Sequence, residues 1–482
     1  MQYLSIDFLI LYAFLAITLF IGLRTGRGIK DIREYATGNK MFTTGALVLT
    51  WLATDISGEP ILSIVQNSRT RGILQILPCV GWGLAYLMQG FVFAPRFLNF
   101  PNCMTIGDVM KELYKGPSQI ITGVLAFLIA MCIMVMELTV FGLFSETLLG
   151  IDFYWGIVIG GSVLVLYTAH GGIKSVTYTD MFQFIILIAI LPIITMIALH
   201  HAGGMETVIA SLSDAQCSVL HHPKLSKYGI ILLTLGIFQF GIIDPALVQR
   251  ILLAKNKRQL RNQFLAMSIL LFGILLSFMM LGFISNVLFP DDTISHVVPQ
   301  IIQNILPVGL KGFAYAGLFA ITMSTFDSFL HAAGLTLAHD VIAPICEWRH
   351  KTIDELKIAR YVTLLVGCLV IIIGLCRAEN LYDFVATSYI FVGPLLAFPL
   401  FAGILGLKPD QLAFYTASIV TIITVILCNF LLPEEYDYLT GIIGVCVNGI
   451  FFLGIHAIRN KGFAIINYEK KEQENNKEIK KS

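Results

Sequence analysis

The chain has 482 residues, 56% hydrophobic and 13% charged, with a formal net charge of +1. Soluble globular domains carry about 25% charged residues, so this composition excludes an ordinary soluble fold and calls for lipid as the solvent. The near-neutral balance leaves no electrostatic footprint for nucleic acid. Nine cysteines lie mostly within apolar runs, none at CxxC spacing, and read as small packing residues rather than a zinc or redox site.

A spanning helix takes about 20 apolar residues. The first candidate, 4–23, follows a start with no basic n-region and no small-x-small cleavage site, and Arg24, Arg27, Lys30 and Arg33 come after it. It reads as an uncleaved first span with its N-terminus outside. Further spans are predicted at 42–66, 73–95, 119–147, 154–169, 178–200, 228–247, 263–288, 311–338, 359–376, 382–406, 412–432 and 438–457, thirteen in all. With the N-terminus outside, inner segments hold 26 of the 32 Lys and Arg and outer segments 6, the positive-inside bias. The expected organisation is an N-terminal extra helix with a basic inner loop (1–41), a first inverted repeat (42–200), an external loop with a second repeat (201–406), two C-terminal helices (407–457) and a cytoplasmic polar tail (458–482).

The second span contains Ala53-Thr54-Asp55-Ile56-Ser57-Gly58-Glu59-Pro60. Pro60 lacks a backbone donor and Gly58 weakens a helix; Asp55 and Glu59, four residues apart, would share one face of a continuous helix. Such a string in lipid predicts a helix that unwinds beside a cavity. The seventh span carries a second interruption, Phe238-Gln239-Phe240-Gly241-Ile242-Ile243-Asp244-Pro245. Two breaks five spans apart fit two inverted five-helix repeats with a binding site at the breaks; a pair of ordinary proline kinks is the plainer reading.

In the ninth span Ile321, Ser324 and Thr325 stand at i, i+3 and i+4 on one face. Carbonyls of Ala53, Ile56 and Ile321 with the hydroxyls of Ser324 and Thr325 would offer five neutral oxygens to a small hard cation. Small-residue helix packing explains a Ser/Thr face equally well.

These strings resemble the sodium:solute symporter family, which includes sodium/proline, sodium/pantothenate and sodium/sugar symporters. Ala53 to Gly58 resembles its unwound first core helix. Gly171 to Gln183 resembles its GG-x5-(W/Y)-TD-xx-Q signature, Val248 to Lys255 the stretch after the sixth core helix, Met323-Ser324-Thr325 the eighth and Gly393-Pro394-Leu395 the tenth. The resemblance implies an all-α polytopic fold of LeuT type, with inverted five-helix repeats, broken first and sixth core helices, one helix before the core and two after. It implies sodium as coupling ion, bound on Ala53, Ile56, Ile321, Ser324 and Thr325. Asp55 beside the break would organise ion binding, and Asp180 near the inner mouth would guide sodium release. Their plainer readings are a helix-end cap and a solvated interfacial acid.

Glu59-Pro60 departs from the familiar pattern. Glu137 in the fourth span and Asp327 and His331 in the ninth are further acids and a histidine near the presumed cavity. With Ser57, Gly58, Phe238 and Gln239 they form the expected solute-binding set. The function expected is sodium-coupled import of a small polar organic solute by alternating access across a bacterial inner membrane, with lipid and solute as partners and no obligate protein partner. Proton-coupled or uncoupled transport on the same scaffold is the alternative, with Asp55, Glu59, Glu137 and Asp180 as proton carriers; a transporter-like sensor ranks lower, and no enzyme motif is present.

Overall fold

The computed structural model describes residues 5–217, 243–290, 297–376, 381–432 and 437–465. Among these, regular structure is helical, apart from one isolated bridge between Leu407 and Ile465. The main helices are α1 (Ile6–Thr25), α2 (Ile32–Thr37), α3 (Thr44–Asp55), α4 (Gly58–Arg71), α5 (Ile76–Met88), α6 (Ile106–Tyr114), α7 (Ser118–Leu149) and α8 (Phe153–His201). They continue as α9 (Pro245–Leu252), α10 (Lys257–Leu288), α11 (Val297–Ile305), α12 (Leu310–Thr336), α13 (Glu355–Gly374), α14 (Leu381–Ile404), α15 (Gln411–Leu431) and α16 (Asp437–Asn460). Nine helical segments among the described residues are long and apolar enough to cross a membrane.

Two predicted boundaries move. The fifth and sixth spans belong to one helical run, α8, whose 49 residues would extend about 73 Å at about 1.5 Å per residue. That is more than twice a hydrocarbon core of about 30 Å, and the run bends at Gly172, where φ is 53°. A side chain there would meet the Tyr35 ring at 2.5 Å, and one at Gly26 would sit 2.2 Å from the Gly171 Cα. The paired glycines thus let the end of α1 and α2 press against backbone at the bend. Lys174, just past it, donates to Glu34 at 2.6 Å, and this bond holds the Glu34 carboxyl below its ordinary range. The seventh predicted span, 228–247, lies mostly within 218–242, so Phe238 and Gln239 lie outside the described residues; α9 overlaps its last three positions and runs on to Leu252, opening with Pro245 at the first helical position, where a missing N–H is harmless.

The second correction concerns the first break. Gly58 to Pro60 form the first turn of α4, and the discontinuity falls earlier, at Ile56 (φ −82°, ψ 89°) and Ser57 (φ −102°, ψ 167°). Pro60 sits where α4 has no intrahelical use for its N–H. Asp55 ends α3 and Glu59 begins α4, so the two acids do not share a helix face.

The centre of the bundle is α12, packed against α1, α7, α8 and α13, with every residue from Ala314 to Thr336 buried. Its start is fixed by Asp7 of α1, whose carboxylate accepts from the Gly309 and Gly312 amides at 2.7 and 2.9 Å and so satisfies donors that a helix N-terminus leaves open. Burial on all sides obliges the hydroxyls and charges of α12 to find partners inside the protein.

Because the Gly26–Gly171 contact is backbone against backbone, no rotamer change relieves an added methyl. Gly26→Ala is expected to lower stability by about 1–3 kcal/mol, the usual cost of overpacking, read as a lower unfolding temperature in detergent. Gly454→Ala, where an added Cβ meets nothing within 4 Å, should leave it unchanged.

Candidate ion and solute site

The break in α3–α4 leaves unpaired carbonyls on one side and unpaired amides on the other, and different groups answer each. On the carbonyl side stands α12. Ser324 Oγ lies 2.7 Å from the Ala53 carbonyl and 3.1 Å from that of Ile321. Thr325 Oγ1 lies 3.0 Å from the Thr54 carbonyl and 3.3 Å from that of Ile321. Ala53, Ile56, Ile321, Ser324 and Thr325 are all at most 2% exposed, so neither hydroxyl faces lipid. A narrow cleft between the two helices is lined by Ala53, Ile56, Ile321 and Ser324, with Gln183 and Phe184 from α8. The donor set is neutral oxygen at the negative end of a helix dipole, which suits a small hard monovalent cation. The Thr54 carbonyl was not among the sequence-based candidates; it could have been, since every carbonyl in the last turn of a broken helix lacks its own donor.

On the amide side, the Gly58 N–H donates to Glu137 Oε2 of α7 at 3.1 Å. Glu137 is fully buried; the Ser57 hydroxyl stands beside its carboxyl, and among the described residues its Oε1 accepts no well-aligned hydrogen bond. The fit is close: a side chain on Gly58 would meet the Thr322 methyl at 2.8 Å and Val140 at 2.9 Å. Glu59 accepts from Ser63 at 2.5 Å. Asp55 accepts from Trp82 Nε1 at 3.1 Å and from the Tyr86 hydroxyl, which ties the end of α3 to α5. Asp244, just before α9, accepts from Tyr389 of α14 at 2.8 Å. Carboxylates therefore gather at the break.

Asp180, Asp327 and His331 fall into a separate network, further along α12 from Thr322. Its centre is Arg250, wholly buried although its position in a basic segment suggested an inner loop. Arg250 donates from Nη2 to Asp180 Oδ2 at 2.9 Å and Ser328 at 2.5 Å, from Nη1 to the Ala246 carbonyl at 2.9 Å, and from Nε to the Thr50 carbonyl at 3.2 Å. Asp180 also accepts from Thr50. It is 0% exposed, so the reading as a solvated interfacial acid fails: the guanidinium compensates the burial. Asp327 accepts from Tyr167 at 2.6 Å and Thr179 at 3.3 Å. His331 Nε2 faces the Gln249 amide at 3.1 Å and its ring meets Tyr35 edge-on. The structure thus groups Asp327 and His331 with Asp180 rather than with Glu137 and Glu59.

A polytopic helical bundle with a broken helix whose open carbonyls face hydroxyls of a distant helix defines an ion-coupled secondary transporter. The sequence profile described as the sodium:solute symporter family matches residues 35–406, and the chain belongs to that family. It is 24% identical over 445 residues to the sodium/proline symporter 2 of Staphylococcus saprophyticus, covering 87% of this chain and 86% of the relative. It is 25% identical over 335 residues to a sodium/mannose cotransporter of Bos taurus, covering 61% of this chain and 54% of the relative. A sodium-coupled sialic acid symporter, solved in a substrate-bound outward-open state, superposes with a TM-score of 0.83 at 18% identity over 96% of this chain and 100% of that one, which establishes the LeuT-type fold. The chain is an integral membrane symporter of small solutes with sodium as the coupling ion, and its relatives are transporters, not enzymes.

Removing one member of a buried ion pair strands the other charge, at a cost of about 3–5 kcal/mol. Arg250→Met is therefore expected to lower the unfolding temperature and the yield of folded protein sharply. Arg250→Met with Asp180→Asn should recover much of that loss, as read by thermal unfolding of the purified variants.

Proposed function

We propose that the chain imports a small polar solute bearing a positively charged group, an amine above all, by alternating access. Sodium sits on Ala53, Ile56, Ile321, Ser324 and Thr325, with Thr54 as a further backbone ligand. The observation that carries the solute class is Glu137: a buried carboxylate at the break, with one oxygen on the Gly58 amide, the Ser57 hydroxyl beside it and, among the described residues, no cation against it. Among the described residues its polar surroundings are Ser57, Gly58 and Glu59, which supply no counter-charge, and a buried carboxylate that stays ionised needs one. An ammonium group brought by the solute supplies it. Ser57, Gly58 and Glu59 stand beside it as further solute-binding candidates, and Phe238 and Gln239, outside the described residues, complete the candidate set.

Sodium binding bridges α3 to α12, so it favours the arrangement in which those helices meet and the break is ordered. An ion can shift the equilibrium between outward and inward states only by its difference in affinity for the two. Loss of the α3–α12 contact on inward opening lowers sodium affinity and releases ion and solute together. Asp55 holds the end of α3 in place through Trp82 and Tyr86. Asp180, held by Arg250, lines the inner exit path. The termini lie on opposite sides, N outside and C inside a bacterial cytoplasmic membrane, with repeats at 42–200 and 201–406 between an N-terminal helix and two C-terminal ones. The Lys/Arg bias of the loops supports this orientation.

Uptake into proteoliposomes, screened over amino acids, amines, sugars, organic acids and vitamins, tests the proposal. An inward sodium gradient should drive accumulation of an amine-bearing solute, and Glu137→Gln should weaken its apparent affinity at least tenfold while leaving sodium binding in place. Accumulation of a neutral or anionic solute alone would refute the solute class. Uptake indifferent to sodium but driven by a proton gradient would favour Asp55, Glu59 and Glu137 as proton carriers instead.

A further inference from the structure

A second polar cluster lies away from the break, where α6, the start of α7, the end of α12 and the start of α13 meet. Asp108 of α6, with His339 and Asp340 from the π-helical turn Leu337–Ile342 that continues α12, present ligand atoms all within 4.8 Å of one another. His339 Nε2 lies 3.0 and 3.1 Å from the two Asp108 oxygens, and its Nδ1 lies 2.9 Å from Glu355 Oε2. Asp340 accepts through Oδ1 from Thr105 at 2.7 Å and Gln119 at 3.1 Å. Its other oxygen, Oδ2, is buried without a partner among the described residues, on a residue that is 0% exposed. None of this was among the sequence-based site candidates, because the ligands come from segments more than 200 residues apart.

The carboxylate is held by bare backbone. A side chain at Gly107 would sit 2.4 Å from the Asp340 Cγ, and one at Gly123 would sit 2.7 Å from its Cβ. Two glycines therefore let α6 and α7 close over Asp340, which leaves its orientation little freedom. Three carboxylates, Asp108, Asp340 and Glu355, surround one imidazole here, with Lys111 the further cation acting on Asp108, so even a protonated His339 leaves negative charge in excess. A buried oxygen without a donor and an unbalanced charge are both answered by a cation.

We infer that Asp108, His339 and Asp340 form a binding site for a divalent transition ion of the zinc class, which joins α6 to the end of α12. Imidazole nitrogen with carboxylate oxygen suits such ions, whereas magnesium and calcium take all-oxygen sets. Ligands about 2.1 Å from a metal and about 90–109° apart stand about 3.0–3.4 Å from each other, and the His339–Asp108 separation of 3.0 Å already matches. Glu355 takes the outer position: a carboxylate on the second ring nitrogen fixes the tautomer that leaves Nε2 free for the metal. Asp108 and His339 are 14% and 16% exposed at their side chains, which gives the ion a way in.

The test is Zn2+ binding to the purified full-length protein in detergent, by equilibrium dialysis with elemental analysis and by thermal unfolding. One zinc per chain is expected, with a rise in unfolding temperature. His339→Gln and Asp340→Asn should each weaken binding at least tenfold, and His339→Cys, which restores a zinc ligand but not an imidazolium, should recover it. Combined His200→Ala, His201→Ala, His221→Ala and His222→Ala should leave this zinc in place. Absence of zinc binding by the folded wild type, equal affinity in folded His339→Gln, or loss of the zinc with the histidine-pair changes would each overturn the site; the first would leave a salt-bridged imidazolium as the occupant.

Discussion

The fold depends on one interrupted helix. Within hydrocarbon no water satisfies a broken backbone, so non-helical residues persist only where protein or a bound species meets their polar groups. At Ile56–Ser57 the chain stops one helix and starts another, exposing carbonyls at the end of α3 and amides at the start of α4. Hydroxyls of Ser324 and Thr325 meet the former, and the carboxylate of Glu137 meets the latter. The two sides carry opposite polarity, as the helix dipole requires, so a cation on one side and an anionic group on the other follow from a single interruption. In the proposed reading, ion site and solute site are adjacent because they are the two ends of one gap.

Everything around the gap serves to hold it. Asp55 reaches α5, Asp244 reaches α14, and Asp7 pins the start of α12 against α1. Arg250 lashes α9 to α3, α8 and α12 through Thr50, Asp180 and Ser328. Such a network costs desolvation and returns little net stability when complete. Its service is geometric: Nε reaches α3, Nη2 reaches both α8 and α12, and Nη1 bonds the Ala246 carbonyl of its own α9, so one side chain holds four helices at set distances. Arg250, at the C-terminal end of the short α9, thereby links the second half of the fold to the first.

Much of this was legible in the residues, and the limits have physical reasons. Hydropathy located the long helices because their apolar runs match the bilayer, and the Ser57-Gly58-Glu59-Pro60 string marked the interruption to within a few residues. It misplaced the break because proline stops a helix from continuing but also starts one, and Pro60 does the latter. The i, i+3, i+4 spacing put Ser324 and Thr325 on one face, but only packing reveals which carbonyls they meet, and Thr54 was missed. Asp327 and His331 were grouped with the solute residues because linear proximity on α12 does not show that a further turn of helix separates two environments. Arg250 hid in a basic segment whose other members, Lys255, Lys257, Arg258 and Arg261, lie in the connection to α10 and in its first turns. The Asp108–His339–Asp340 cluster left no local trace at all.

The direct test of the central claim is equilibrium binding of radiolabelled sodium to the purified protein without solute, comparing wild type with Ser324→Ala/Thr325→Ala. If the α3 carbonyls and α12 hydroxyls form the ion site, wild type binds sodium saturably and the double variant, still folded, loses at least tenfold in affinity. Unchanged sodium affinity in a folded double variant would contradict the account.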